Sequence, residues 1–246
     1  MINATDSKGT FYILNKKDRT PIIFIHGVGL DHSIWDPQIN EFDNTVLIYD
    51  ILGHGKTPLN KNDLSFDDFS DQILNLMDEL KFNKVHLVGF SIGSLIARNF
   101  ATRFNNRLAS LTLLCSIFNR SDKEQKIVND RFEQTKKDHK LTKDALKRWF
   151  TEDYLNKNPG ISDKIFNILQ NNNMNNFIKI YSLFVKHQDN EKFENIKTKT
   201  LVITGEGDVG STPEMSINLG KKIKNSVVKI LPCLLYTSPS PRDATL

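Results

Sequence analysis

The chain has 246 residues, 39 % of them hydrophobic, and its 33 Lys+Arg against 29 Asp+Glu give a formal net charge of +4. No apolar run is long enough to span a bilayer, no basic stripe with interleaved aromatics marks a nucleic-acid face, and Met1–Lys8 lacks a signal-peptide core. Membrane and nucleic-acid partners are therefore excluded, and with Cys115 the one cysteine of the main body a cytoplasmic setting without disulfides is expected.

Pro21-Ile22-Ile23-Phe24-Ile25 is a continuous apolar run that reads as a buried strand and leads into His26-Gly27-Val28-Gly29. Thr45–Tyr49 repeats the pattern and ends at Asp50-Ile51-Leu52-Gly53-His54-Gly55. Ser65 to Phe82 then reads as a helix, with Ser65 and Asp68 as a capping pair and Phe66, Phe69, Ile73, Leu76, Met77 and Leu80 on one stripe.

The next strand, Val85-His86-Leu87-Val88, runs into Gly89-Phe90-Ser91-Ile92-Gly93 and a helix-like stretch from Ser94 to Ala101. Strand, tight turn and helix are the context of a G-x-S-x-G nucleophile elbow, where side chains flanking the serine would collide. Gly93, Ala97 and Ala101 form a small-residue stripe that lets the helix lie close on a sheet. Leu108–Cys115 reads as the following strand.

From 119 to 195 the pattern changes to polar helices with short apolar stripes, candidates being Leu141–Phe150, Ser162–Leu169 and Asn175–Lys186. This segment holds 15 Lys+Arg and 12 Asp+Glu, so +3 of the net charge lies there. That excess suits an anionic ligand as well as it suits a solvated helix surface. Thr200–Thr204 is a further strand, ending at Gly205-Glu206-Gly207-Asp208, and Ser226–Pro232 is the last. Polar and glycine residues thus collect after each run, where open α/β sheets bind ligands.

Taken together, His26-Gly27 after one strand, Asp50-x-x-Gly53-His54-Gly55 after the next, the GFSIG elbow and an aspartate after a late strand resemble the α/β-hydrolase fold over residues 20–232. The resemblance implies an α/β fold: a mostly parallel central sheet flanked by helices, with a helical cap inserted at 119–195 between core segments 1–118 and 196–232. It further implies Ser91 as nucleophile and Asp208 as triad acid, with the N–H groups of Val28 and Ile92 as oxyanion hole. Glu206, two residues nearer the strand end, is the alternative acid. Serine at 91 sets aside the branches of this fold that use an aspartate nucleophile. No cofactor and no metal are expected.

Arg148-Trp149-Phe150-Thr151 with Asn158-Pro159, Trp35-Asp36-Pro37-Gln38 and Thr212-Pro213 are similar to 3-oxoadipate enol-lactonase-like hydrolases. By that resemblance the substrate is a small carboxylic ester or lactone, an anionic one such as 3-oxoadipate enol-lactone among the candidates, and Trp149 is either a pocket wall or part of the cap core. A broader carboxylesterase, a C–C bond hydrolase and a non-catalytic binder on the same fold stay open.

The general base of such a triad is a histidine after the last strand, yet no histidine follows His187. His26 and His54 fit structural loop roles, His86 sits within a strand, and His32 and His139 are expected to be solvated. His187 is weighed as a substitute base. Residues 233–243, Cys-Leu-Leu-Tyr-Thr-Ser-Pro-Ser-Pro-Arg-Asp, contain none of the Asn, Lys and Ile abundant upstream. They coincide residue for residue with a translated frame of a transposon adapter used in sequencing libraries. Residues 233–246 are therefore expected to be a non-native tail on a truncated chain whose histidine and closing helix are missing.

Overall fold

The computed structural model describes residues 1–141, 146 and 149–232. Its centre is an eight-stranded sheet in the order β1-β2-β4-β3-β5-β6-β7-β8. The strands are β1 (Ile2–Thr5), β2 (Phe11–Asn15), β3 (Arg19–Ile25), β4 (Asn44–Tyr49), β5 (Val85–Phe90), β6 (Leu108–Leu114), β7 (Thr200–Gly205) and β8 (Ser226–Leu231). Strands β3 to β8 pair in parallel, while β1 and β2 add an antiparallel edge that the sequence pattern did not reveal.

The apolar runs behave as doubly covered strands. Ile23, Ile25, Leu47 and Tyr49 point to one face, where α1 (Phe66–Glu79) and α2 (Ile92–Phe104) pack; Ile22, Phe24, Val46 and Ile48 point to the other. There they meet Leu30, Trp35 and Ile39 from the segment after β3, together with Leu146 and Phe150. Helix α1 is closed by the expected capping box between Ser65 and Asp68, and Phe69, Ile73, Leu76 and Met77 of its stripe are buried.

The expected small-residue stripe sets the position of α2. Ala97 and Ala101 are buried, and a Cβ on Gly93 would lie 2.7 Å from the carbonyl oxygens of Ile25 and His26. Only a residue without a side chain permits that approach, so the helix is drawn down onto the end of β3.

Between β6 and β7 the described residues include α3 (Asp122–Asp138), α4 (Glu152–Lys157), α5 (Ile161–Gln170) and α6 (Met174–Val185). The predictions for Ser162–Leu169 and Asn175–Lys186 correspond to α5 and α6; the predicted Leu141–Phe150 helix lies partly outside the described residues, as does Arg148. Helix α3 was not anticipated, although Ser121 and Glu124 form a capping box at its start. Helix α7 (Pro213–Lys222) joins β7 to β8. The predicted non-native tail, including Cys233, lies outside the described residues. No helix among those described is long and apolar enough to cross a membrane.

Candidate active site

The register of the parallel strands puts their carboxyl ends side by side: Ile25 opposite Gly89, Phe90 opposite Leu114, Leu114 opposite Ile203 and Gly205 opposite Leu231. The residues that follow these ends are those singled out by the sequence. Ser91 follows β5 directly, Val28 lies three residues after β3, and Asp208 three residues after β7.

Ser91 is the N-cap of α2 and has φ 55° and ψ −119°. An L-residue enters this positive-φ region at a cost of about 1–3 kcal/mol, which the surrounding structure must hold in place. The Ser91 N–H donates to the Leu114 carbonyl at 3.0 Å, and its own carbonyl accepts from the Ser94 N–H at 2.9 Å. A Cβ at Gly89 would come within 2.2 Å of the Gly93 carbonyl oxygen, so glycine is required before the serine as well as after it.

Asp208 is buried on a loop that wraps its carboxylate. Its Oδ1 accepts the N–H groups of Gly210 at 2.8 Å and Ser211 at 2.9 Å, and its Oδ2 lies 3.5 Å from the Thr204 hydroxyl. Burial pushes its pKa up, and these N–H donors offset part of that rise. Glu206 is exposed in the turn, its N–H tied to the Leu231 carbonyl at 2.7 Å, as suits a solvated turn residue.

Two buried histidines hold the loop after β3. His54 Nε2 accepts the Gly29 N–H at 2.9 Å, and His26 Nε2 accepts the Ile51 N–H at 3.1 Å while its Nδ1 donates to the Gly27 carbonyl at 2.8 Å. Each ring must be neutral to accept through Nε2. Burial lowers both pKa values, that of His54 to about 3. The Val28 N–H, flanked by these anchors, meets no acceptor among the described residues, and the Ile92 N–H is the first of α2 and has no carbonyl behind it in the helix.

His32 departs from the expectation of a solvated ring. It donates through Nδ1 to Asp50 Oδ1 at 2.8 Å, and Asp50 also accepts the N–H groups of His32 and Lys56. His86 bonds the Ser110 hydroxyl at 2.7 Å, and His139 is the left-handed C-cap of α3.

Val28, Ser91, Trp149 and Asp208 line one cavity of about 280 Å³. Ile92 is fully buried behind it. Trp149 also packs beside Leu146 and Phe150, so it is both wall and packing residue. Helix α3 contributes Glu124, Ile127, Val128, Arg131 and Thr135, a single helical face at spacings of three and four, and Arg120 precedes it. Sequence reading did not find these cavity residues; the Ser121–Glu124 capping signature was the available clue.

No histidine among the described residues lines the cavity. His187, the substitute base considered from sequence, lies half-buried elsewhere, with Nε2 3.3 Å from Asp189 Oδ1 and 3.5 Å from Glu191 Oε1 and its ring edge-on to Phe66. These three side chains bring potential metal-ligand atoms within 4.8 Å of one another. The Arg98 guanidinium already lies 2.6 Å from both carboxylates, so the cluster's positive charge is supplied from within the chain.

The arrangement offers a strained serine at a helix N-terminus, free N–H groups beside it and a buried carboxylate in the same cavity. Comparisons with known proteins show which proteins the chain is similar to. The chain is 27 % identical over 226 residues to (E)-2-((N-methylformamido)methylene)succinate hydrolase of Acinetobacter baylyi, covering 90 % of this chain and 85 % of that protein. It is 25 % identical to 3-oxoadipate enol-lactonase 1 of the same organism, covering 86 % and 80 %. The enol-lactonase structure from Burkholderia xenovorans superimposes with a TM-score of 0.82 at 24 % identity, covering 96 % of this chain and 93 % of that one. The family model for the alpha/beta hydrolase fold matches residues 20–234, and the chain belongs to that family.

Proposed function

We propose that this protein is a cytoplasmic serine hydrolase that cleaves a small carboxylic ester or lactone through an acyl-enzyme. The observation that carries this reading is Ser91, held at positive φ at the start of α2 and opening on the same cavity as Asp208. In the proposed mechanism the Ser91 hydroxyl attacks the substrate carbonyl carbon, and the tetrahedral oxyanion is met by the N–H groups of Val28 and Ile92. One such donor supplies about 3 kcal/mol of transition-state stabilisation. The alcohol or enolate then leaves, and water releases the acid from Ser91 by the reverse sequence.

Proton transfer in this scheme needs a base oriented by Asp208. We assign it to a histidine in a loop that follows β8 in the native protein, with residues 233–246 replacing that loop and the closing helix. Val227 and Ile230 of β8, 57 % and 37 % exposed, support a sheet face that another element would cover. The helices between β6 and β7 then serve as the cap over the site. An anionic substrate is favoured by the two relatives, whose names specify a succinate and an oxoadipate compound, both carboxylates.

The test is labelling with a fluorophosphonate, followed by esterase and enol-lactonase assays on a chain that carries the native C-terminus. Phosphonylation of Ser91, lost in Ser91→Ala, together with lactone turnover by the extended chain, is the expected result. A serine that stays unlabelled in the extended chain rules the reading out and leaves a binding protein.

A further inference from the structure

We propose that Arg120 and Arg131 form a carboxylate anchor in the cavity, so that the substrate is an ester or lactone carrying a second, free carboxylate. The inference rests on the hydrolase reading for what is cleaved, but not for what is bound. Among the described residues, four side chains charged at neutral pH line the cavity: Arg120, Arg131, Glu124 and Asp208. The two carboxylates are already engaged by local donors. Glu124 Oε2 accepts the Ser121 N–H at 2.7 Å and its hydroxyl at 2.8 Å, and Asp208 Oδ1 accepts the Gly210 and Ser211 N–H groups.

The two arginines are held differently. Neither makes an ion pair with a carboxylate among the described residues, whereas Arg98, Arg103 and Arg107 elsewhere in the chain each do. Arg120 is fixed instead by neutral groups: Nη1 donates to the carbonyls of Phe184 at 3.1 Å and Val185 at 3.3 Å, and the guanidinium stacks 4.5 Å from the Phe184 ring centre. Those contacts orient the group, while the carboxylates of Glu124 and Asp189, which favour its charge, stand beyond ion-pair distance. Burial accordingly lowers its pKa to about 10, still well above neutrality.

Arg131 lies on the cavity face of α3, nearly two turns after Glu124 and one turn after Ile127 and Val128, so the helix offers the ligand an apolar stretch ending in a cation. Two guanidinium groups without an ion-pair partner among the described residues, in a small cavity whose uncharged walls are mostly apolar, match a ligand that is short, apolar in its middle and anionic at one end. A planar carboxylate accepts two parallel N–H bonds from a guanidinium, which gives orientation as well as attraction. Ser91 would then meet the ester or lactone carbonyl at the other end.

The experiment is calorimetric titration of the full chain carrying Ser91→Ala with unreactive dicarboxylates, succinate and adipate, and with the matching diamides. Expected is a saturable dicarboxylate signal that weakens at least tenfold in Arg131→Gln and falls with added salt, while the diamides bind no better to one variant than to the other. Arg120→Lys, which retains the charge but not the fork, is expected to lose a smaller factor, and circular dichroism checks that it folds. Equal affinity for dicarboxylates and diamides, or an Arg131→Gln affinity equal to that of the parent, overturns the proposal. Phosphonate labelling of Ser91 reports on the nucleophile separately, so either reading can fail while the other stands.

Discussion

His54 Nε2 accepts the backbone N–H of Gly29 at 2.9 Å, which ties the loop after β3 to the loop after β4 and requires an unprotonated ring. His26 makes the reciprocal tie to Ile51. Both folded-state pKa values are depressed by burial, that of His54 to about 3, against about 6.5 in the unfolded chain. Between those limits the unfolded state binds more protons than the native one. Stability is therefore full above about pH 6.5 and is lost as the pH falls toward 3, each such group adding up to about 1.4 kcal/mol per pH unit to the slope. His32 acts with the opposite sign: burial opposes its charge, but its bond to Asp50 raises its pKa overall, so its contribution is present below about 6.5 and fades above it. Urea denaturation at a series of pH values should show the acid-side loss, and His54→Gln, which keeps an acceptor but cannot titrate, should flatten it. An unchanged slope in that variant would mean His54 is not the titrating group.

Strain at Ser91 gives a second expectation. Glycine adopts φ 55° without the Cβ penalty, so Ser91→Gly should recover part of the roughly 1–3 kcal/mol held at the elbow. For a chain of this size that is a rise in Tm of a few degrees, accompanied by complete loss of phosphonate labelling. Gly89→Ala should do the reverse, because its new Cβ meets the Gly93 carbonyl at 2.2 Å and neither backbone can yield. Calorimetry on the two variants decides the matter; a Ser91→Gly protein that melts lower than its parent would show that the serine side chain supports the turn.

The sequence was most legible where local sterics and pattern decide the structure. The GFSIG elbow, the Ser65 capping box and the apolar runs of β3 to β7 depend on near neighbours and appear in the fold as read. What escaped depends on distant partners. β1 and β2 are short strands whose pairing, β1 with β2 and β2 with β4, carries no local signature. Helix α3 buries only Val128 and Phe132, too narrow a stripe to stand out against its charge. His32 reads as solvated in the sequence because the Asp50 carboxylate that engages it lies 18 positions on. The cavity role of Arg120 depends on the path from Cys115 to Asn119, both at positive φ, which composition cannot disclose.

The ionic cluster around Arg98 is a structural latch. Its guanidinium is fully buried on α2, donates to the Ile117 carbonyl at 2.8 Å and lies 2.6 Å from Asp189 and Glu191 on the segment after α6. Removing the cation would strand two carboxylates away from water, a loss of about 3–5 kcal/mol. Arg98→Met should therefore lower the urea midpoint sharply at neutral pH. Adding Asp189→Asn and Glu191→Gln removes the stranded charges and should restore much of the loss; a triple variant no more stable than the single one would show that Arg98 acts through packing against Phe118 and Phe193 rather than through charge.

At the far edge of the sheet, β8 alternates burial and exposure over only six residues and leaves Val227 and Ile230 open to solvent. Among the described residues no strand pairs beyond β8, and a parallel edge with apolar side chains pairs readily with a second chain. Val228, by contrast, packs against the core beside α7, so the strand's inner face is fixed. Val227→Lys should then leave the unfolding free energy within about 0.5 kcal/mol of the parent, as surface changes do, while reducing the growth of light scattering on gentle heating. If the lysine variant scatters as strongly as the parent, association does not run through the exposed side chains of β8.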